Sequence, residues 1–456
     1  MWDDPIAAIA TPVGEGGIAI VRISGKGALG IADQIFQSLG SKAVKPSQAG
    51  THTLHHGRVL DQNRQVDEVL LAVMRGPRSY TGGDTVEISC HGGLLPAKRV
   101  LEVVLQHGAR MAMPGEFTRR AFLNGRLDLA QAEAVADLIH SRTESALMAA
   151  NEQLAGSLSR PVNLLRDKLM QVLAHIEAHL DFPDEDIAPD TRVQLVQRLA
   201  SALADMDQLL KTADDGKILR QGIRIAIVGR PNAGKSSLLN CLLRRDRAIV
   251  SPIPGTTRDT IEETASIRDI PVVFVDTAGL RVSDDEIELE GMRRSREAIK
   301  GSDLVLHVLD ASETSSNHDA VDAHEIESKR LIVVRNKMDL PNSVKWQVKP
   351  GAEVVEVSCV TGQGIEALKD AIKTLVWSGR LQAGVGQAFI NSRHKDALVR
   401  SARHVEQAQH ALRSGQHLEL VALDLRMGAN AVGEIVGKTT TEDLLDSIFS
   451  AFCIGK

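Results

Sequence analysis

Residues 229–237 read GRPNAGKSS, directly after the apolar run IRIAIVG and directly before SLLNCLL. The pattern is G-x-x-x-x-G-K-[ST], carried by Gly229, Gly234, Lys235 and Ser236. Placed between a strand and a helix, it commits the chain to a loop whose backbone N–H groups close round phosphate oxygens. Lys235 is expected to reach the β and γ oxygens, and the Ser236 hydroxyl to hold Mg²⁺. From about residue 222 to 380, IRIAIVG, PVVFVDTAG, DLVLHVLD, RLIVVRNK and EVVEVSC alternate with helical stretches. These runs are short, β-branched and nearly all apolar, as strands buried on both faces of a parallel sheet are.

Further motifs follow in order. DTAG, residues Asp276, Thr277, Ala278 and Gly279, ends one apolar run. Its acid can hold the Mg²⁺ shell, and Gly279 can turn its N–H to a γ-phosphate. NKMD, residues Asn336, Lys337, Met338 and Asp339, ends another. The Asp339 carboxylate can accept from the N1–H and exocyclic amine of guanine, an edge that adenine lacks. SCV, residues Ser358, Cys359 and Val360, suits a second contact to the base. Thr257 in GTTRD lies where a second Mg²⁺ ligand is needed. The set resembles the GTPase fold of translation factors and Ras-like switches. Ras-like enzymes place a Gln after DTAG to orient water. Leu280 stands there instead, so another group must take that role.

The 456 residues suffice for two or three domains. A net charge of −6 excludes a strong positive field round the whole molecule, so nucleic acid would be met through a local patch or a partner. No apolar run reaches membrane-span length, no basic-then-apolar leader begins the sequence, and the four cysteines form no C-x-x-C. A cytoplasmic, reducing location is expected. Residues 1 to about 118 alternate strand-like runs (IAIVRIS, 18–24; EVLLAVM, 68–74; and one in TGGDTVEISCHGG) with Gly-rich turns. Helical texture follows to about 218, with Leu127, Ala130, Ala134 and Leu138 at helical spacing and a Pro-rich acidic break at 181–190. The expected organisation is multidomain α/β. It comprises an α+β N-terminal domain (1–118), a helical domain in two parts (119–218 and 382–456), and a Ras-like P-loop domain inserted between them (219–381).

The sequence ends FSAFCIGK. Thr439–Thr441 can cap a final helix with Glu442 and Asp443 in its first turn, and Leu444, Ile448 and Phe452 share a stripe that should pack. Cys453 is then pointed in a fixed direction. It is either a packed thiol or a nucleophile or proton-transfer group, with Lys456 favouring the thiolate.

GRPNAGKSSLLN, IPGTTRD, DTAGLR, NKMD and FCIGK together resemble the MnmE (TrmE) family of tRNA-modification GTPases. ATPVGEGGIAIVRISG, YTGGDTVEISCHGG and PGEFTRRAFLNGRLDLAQAEA resemble its N-terminal part, so the likeness spans essentially the whole chain. The resemblance implies a homodimer formed through folate-binding N-terminal domains. It also implies a flavoprotein partner, MnmG (GidA), in a heterotetramer or larger complex, with FAD only on that partner. The reaction it implies is modification of C5 of the tRNA wobble uridine, with a one-carbon tetrahydrofolate as donor.

GTP, Mg²⁺ and K⁺ are the cofactors of the family's G domain. Asn232 matches the potassium ligand, with Ser251, Ile253 and Thr256 in the loop that closes over the ion. A turn residue with an Asx bond is the plain alternative for Asn232. The nucleotide contacts carried over are Asn232, Ala233, Gly234, Lys235, Ser236 and Ser237, then Ser251, Pro252, Ile253, Pro254, Gly255, Thr256 and Thr257, with the DTAG, NKMD and SCV residues above. Glu288 matches the water-orienting glutamate, in preference to Glu286 or Glu290; a solvated acidic loop is the plain alternative. Arg22, Glu87, Arg126 and Lys456 match the folate contacts. Arg22 suits a glutamyl carboxylate and Glu87 the pterin N–H edge, against the alternatives of surface salt bridges and a solvated acid. Two other classes compete: a ribosome-assembly GTPase switch, and a stand-alone folate aminomethyltransferase with a regulatory G domain. The first would usually carry a basic appendage, and only LLRRDR and MRRSR suggest one. The second would work without MnmG.

Overall fold

The computed structural model describes residues 3–12, 14–40, 44–181, 192–246, 263–275, 297–312, 330–341, 352–376 and 388–456. Packing divides the chain into two units: Met1–Ala136 with Ser159–Leu199 and Arg400–Lys456, and Asp137–Leu158 with Ala200–Val399.

The first unit begins with strands β1 (Ile6–Ile9), β2 (Ile18–Ser24), β3 (Phe36–Ser38), β4 (Thr53–Asp61), β5 (Arg64–Met74), β6 (Thr85–His91) and β7 (Arg110–Met111). They form one sheet in the order β3-β4-β5-β6-β2-β1-β7. Every pairing is antiparallel except β1 with β7. Alternation decides the faces: Val21, Ile23, Val69, Leu71, Val73, Val86 and Ile88 are buried together beneath α1 (Ala28–Ile35) and α2 (Leu94–Gln106). Arg22 and Glu87, paired across β2 and β6, therefore lie on the opposite face.

Helix α3 (Glu116–Leu123) follows the sheet. Its Glu116, 1% exposed, receives Arg110 Nη2 at 2.5 Å, Arg120 Nη2 at 3.0 Å and the Met113 N–H at 2.9 Å. Burial alone would raise this carboxyl. The Arg110 bond, the Met113 N–H and Arg120 outweigh it and hold Glu116 below the usual carboxylate range.

The helical segments are α4 (Leu129–His140), α5 (Glu144–Leu154), α6 (Ser159–Asp181), α7 (Arg192–Leu210) and α8 (Ala213–Gln221). The second unit then builds its own sheet from β8 (Ile223–Val228), β9 (Glu263–Ile267), β10 (Ile270–Val275), β11 (Leu304–Asp310), β12 (Arg330–Asn336) and β13 (Glu353–Glu356), with helices α9 (Lys235–Asp246) and α10 (Ile365–Val376). The strand order is β13-β12-β11-β8-β10-β9. The five expected strands pair in parallel, and β9 adds an antiparallel edge to β10. This is the strand order of a Ras-like sheet, and the described loops after β8, β12 and β13 leave the carboxyl ends of their strands.

The chain closes with α11 (Ser392–Ser414), α12 (Leu418–Val436), which packs on α6 in the first unit, and α13 (Glu442–Phe449). Thr441 caps α13, accepting the Leu444 N–H at 3.3 Å. The packed stripe differs from the expected one. Leu445, Phe449 and Phe452 are buried, whereas Leu444 and Ile448 are only half-buried. The helix stops at Phe449, so Phe452 does not continue the 444–448 row; it turns back against the Phe449 ring, with centroids 5.6 Å apart. Arg119 of α3 fixes the same helix through Asp446 at 2.6 Å and Glu442 at 3.0 Å.

Candidate functional site: a phosphate loop and a docked tail

In the second unit the phosphate loop leaves β8 at Gly229. Its φ is 148°, and a Cβ there would run into the Val308 carbonyl, so only glycine fits the turn. Lys235 opens α9, and its Nζ donates to the loop's own carbonyls, Gly229 O at 2.9 Å and Arg230 O at 2.8 Å. The ammonium is thus held at the mouth of the cradle that its motif predicts. Asn232 sits exposed at the turn with φ 63°, a left-handed conformation that Asn tolerates. Ala233 is buried, and Ser236 and Ser237 face outward from the first turn of α9.

Asn336, at the end of β12 and 2% exposed, ties this loop to the base loops. Its Nδ2 donates to Ala233 O at 2.9 Å, and its Oδ1 accepts the Cys359 N–H at 3.3 Å. Asp339 is exposed and accepts from the Ser358 hydroxyl at 2.6 Å, which orients the carboxylate expected to read guanine. Lys337, at φ 65°, reaches Asp310 Oδ2 at 2.5 Å. Burial works against the Asp310 carboxylate, but Lys337 and Ser312 hold it below the usual range. Asp310 was not expected from the sequence, where it reads only as the last residue of an apolar strand. Val360 is highly exposed, and burial followed by the neighbouring Cys241 pushes the Cys359 thiol up to about 12. Ser251, Pro252, Ile253, Pro254, Gly255, Thr256, Thr257, Asp276, Thr277, Ala278, Gly279 and Glu288 lie outside the described residues.

In the first unit the end of the chain folds onto the N-terminal sheet. The Gly115 N–H donates to Cys453 O at 3.4 Å and the Phe117 N–H to Lys456 O at 3.2 Å, so two backbone oxygens of the tail satisfy donors at the start of α3. Arg22 donates through Nε to Glu87 at 2.7 Å and through Nη1 to Gly455 O at 3.0 Å. Arg22, Arg126 and Lys456 all face the Tyr80 ring, at 5.5, 5.3 and 5.5 Å from its centroid. Arg126 also donates to the Tyr80 carbonyl. Burial, then repulsion from Arg22, lowers the Lys456 ammonium; Glu87 partly offsets this. The structure thus brings Arg22, Glu87, Arg126 and Lys456 together, with Cys453 exposed three residues before Lys456 on the docked tail. Tyr80 was missed. It is the one tyrosine in the chain, in a Gly-rich loop, and that was the available signal.

Two family descriptions match: "GTP-binding protein TrmE N-terminus" over residues 5–126 and "MnmE helical domain" over residues 129–453. The chain belongs to the MnmE family of tRNA modification GTPases. It is 45% identical to the tRNA modification GTPase MnmE of Clostridioides difficile (strain 630), across 100% of this chain and 99% of that one. It is 48% identical to the MnmE of Roseiflexus sp. (strain RS-1), across 100% of both. A solved structure, the G domain of the T. maritima FeoB iron transporter, is 28% identical over 34% of this chain and 98% of its own, at a TM-score of 0.26. A score that low adds nothing to the sheet order above. Among the described residues no helix is long and apolar enough to cross a membrane.

Proposed function

We propose that this chain is a K⁺-dependent GTPase that acts as a homodimer with the FAD protein MnmG. Together they install an aminomethyl or carboxymethylaminomethyl group at C5 of the tRNA wobble uridine, with a one-carbon tetrahydrofolate as donor. The observation that carries this reading is the tail. Its Lys456 joins Arg22 and Arg126 around Tyr80, Glu87 pairs with Arg22, and the exposed Cys453 lies three residues earlier on the same docked tail.

The residues fit a folate. Three cations gather at the Tyr80 ring with one side-chain carboxylate, Glu87, on Arg22, and burial, then Arg22, depresses the Lys456 ammonium, so an entering glutamyl carboxylate relieves a repulsion. Glu87 presents a carboxylate to the amino and ring N–H groups of a pterin. When bound, the folate supplies the one-carbon unit and the partner's FAD the redox step. Cys453 serves as nucleophile or proton-transfer group near the uridine.

The phosphate loop fits GTP equally. Lys235, now satisfied by Gly229 and Arg230 carbonyls, is placed to move onto β and γ oxygens. Ser236 and Thr257 would hold Mg²⁺. Asn232, with Ser251, Ile253 and Thr256, would hold K⁺ and so balance charge where other GTPases insert an arginine. Glu288 would orient the water.

The test is calorimetric titration of 5-formyltetrahydrofolate into wild type and Glu87→Gln, followed by co-elution with MnmG in GTP and GDP. Saturable folate binding, weakened at least about tenfold in the variant, is expected along with an MnmG complex in one nucleotide state. Absence of both would overturn the reading.

A further inference from the structure

Tyr80 is tied down more firmly than a loop residue needs to be. Its hydroxyl meets the Thr118 hydroxyl at 2.8 Å, and Thr118 is fully buried. Its ring packs on the small cluster of Ile6, Ala8, Ala112 and Phe117. Its carbonyl is held by Arg126. The ring so fixed has three cations about it, from β2, from the turn after α3 and from the chain end. Arg22 also lies 5.5 Å from the Phe117 ring, which places it against two aromatic faces.

Three like charges would not gather unaided. Glu87 answers Arg22 at 2.7 Å, but no ion pair to Arg126 or Lys456 is seen among the described residues. The negative face of an aromatic ring attracts a cation without carrying a net charge of its own. It can therefore hold the cations in place and leave their charge available to an anion. A second carboxylate in the same position would neutralise them.

We propose that Tyr80 is a positioning residue of this site, gathering Arg22, Arg126 and Lys456 on one ring so that they meet a carboxylate-bearing ligand as a preformed set. The ligand class rests on the folate reading above; the gathering of the tail does not. The ring, rather than the hydroxyl, is the working part.

Two variants separate ring from hydroxyl. Tyr80→Phe keeps the ring and loses the Thr118 bond; Tyr80→Leu loses the ring. Tail docking is read by hydrogen exchange at the Phe117 amide, whose acceptor is Lys456 O. Ligand binding is read by calorimetry with 5-formyltetrahydrofolate, and exchange at the paired β2 and β6 amides controls for folding of the first unit. Tyr80→Leu is expected to speed Phe117 exchange and weaken ligand binding by about tenfold each, with Tyr80→Phe within about threefold of wild type in both. Unchanged exchange in Tyr80→Leu would overturn the proposal, as would equal losses in the two variants. If exchange responds as expected but wild type binds no folate, the folate reading fails and the positioning role stands.

Discussion

Arg22 Nη1 donates to the carbonyl oxygen of Gly455 at 3.0 Å, joining residues 433 positions apart. The contact needs glycine on the tail. Gly455 has φ 100°, and a Cβ there would stand 2.5 Å from the Ile9 carbonyl oxygen. Gly455→Ala is therefore expected to undock the tail. The left-handed conformation alone costs about 1–2 kcal/mol, and the close approach adds to it. Hydrogen exchange at Phe117 should rise at least about tenfold while GTP turnover stays at the wild-type rate.

Base selection should reside in Asp339. Its carboxylate is oriented by Ser358 at 2.6 Å, and Asn336 holds the neighbouring loop. Asp339→Asn exchanges one of the two acceptor oxygens that guanine requires for an N–H donor. GTP affinity should fall about ten- to a hundredfold, as expected for a lost charge-assisted hydrogen bond. Xanthosine triphosphate, whose base offers an acceptor where guanine has its amine, should then bind better than GTP. Fluorescent-nucleotide titration checks both.

The potassium assignment predicts a salt effect. GTP turnover should fall when Na⁺ replaces K⁺ at constant ionic strength, and Asn232→Ala should remove that difference. Equal wild-type rates in the two salts would remove Asn232, Ser251, Ile253 and Thr256 from the ion site.

The thiols should titrate apart. Burial, then the nearby Asp67, pushes Cys90 up to about 11, and burial with Cys241 pushes Cys359 up to about 12. Thiolate is the reactive form, so iodoacetamide at pH 8 should label the exposed Cys453 well before either. The folded state holds the Cys90 and Cys359 protons more tightly than the unfolded chain does. Their contribution to stability is complete below the ordinary thiol pKa of about 8.5 and is lost as pH rises toward 11–12. Peptide mapping after timed alkylation, with melting followed from pH 8 to 11, tests the order and the sign.

Much of this was legible in the sequence for a physical reason. The parallel strands β8, β10, β11 and β12 are largely buried on both faces, so each reads as a nearly continuous apolar run, whereas β13 is a half-exposed edge strand; the phosphate loop is bound to its motif by backbone geometry. Strand β9 was not legible, because ETASI is a half-exposed edge strand with weak alternation. The spacing of Leu444, Ile448 and Phe452 sets the tail's packing face one position off, because it counts Phe452 into a helix that ends at Phe449. Arg22, Glu87, Arg126 and Lys456 could be named only by resemblance; their meeting depends on long-range docking that no local pattern encodes. Tyr80 carries only a weak signal in the sequence, for the converse reason. A single aromatic in a Gly-rich loop has no periodicity, and its role comes from what converges on it.

The most direct measurement is nucleoside mass spectrometry of tRNA from a strain lacking this gene, complemented with wild type, Cys453→Ser or Gly455→Ala. GTPase assays of the purified proteins serve as the folding control. The account predicts that wild type restores the C5 modification of the wobble uridine, and that both variants fail to do so while still hydrolysing GTP. Full restoration by both variants would show that the docked tail takes no part in the chemistry, and a wild type that alters no wobble uridine would contradict the account itself.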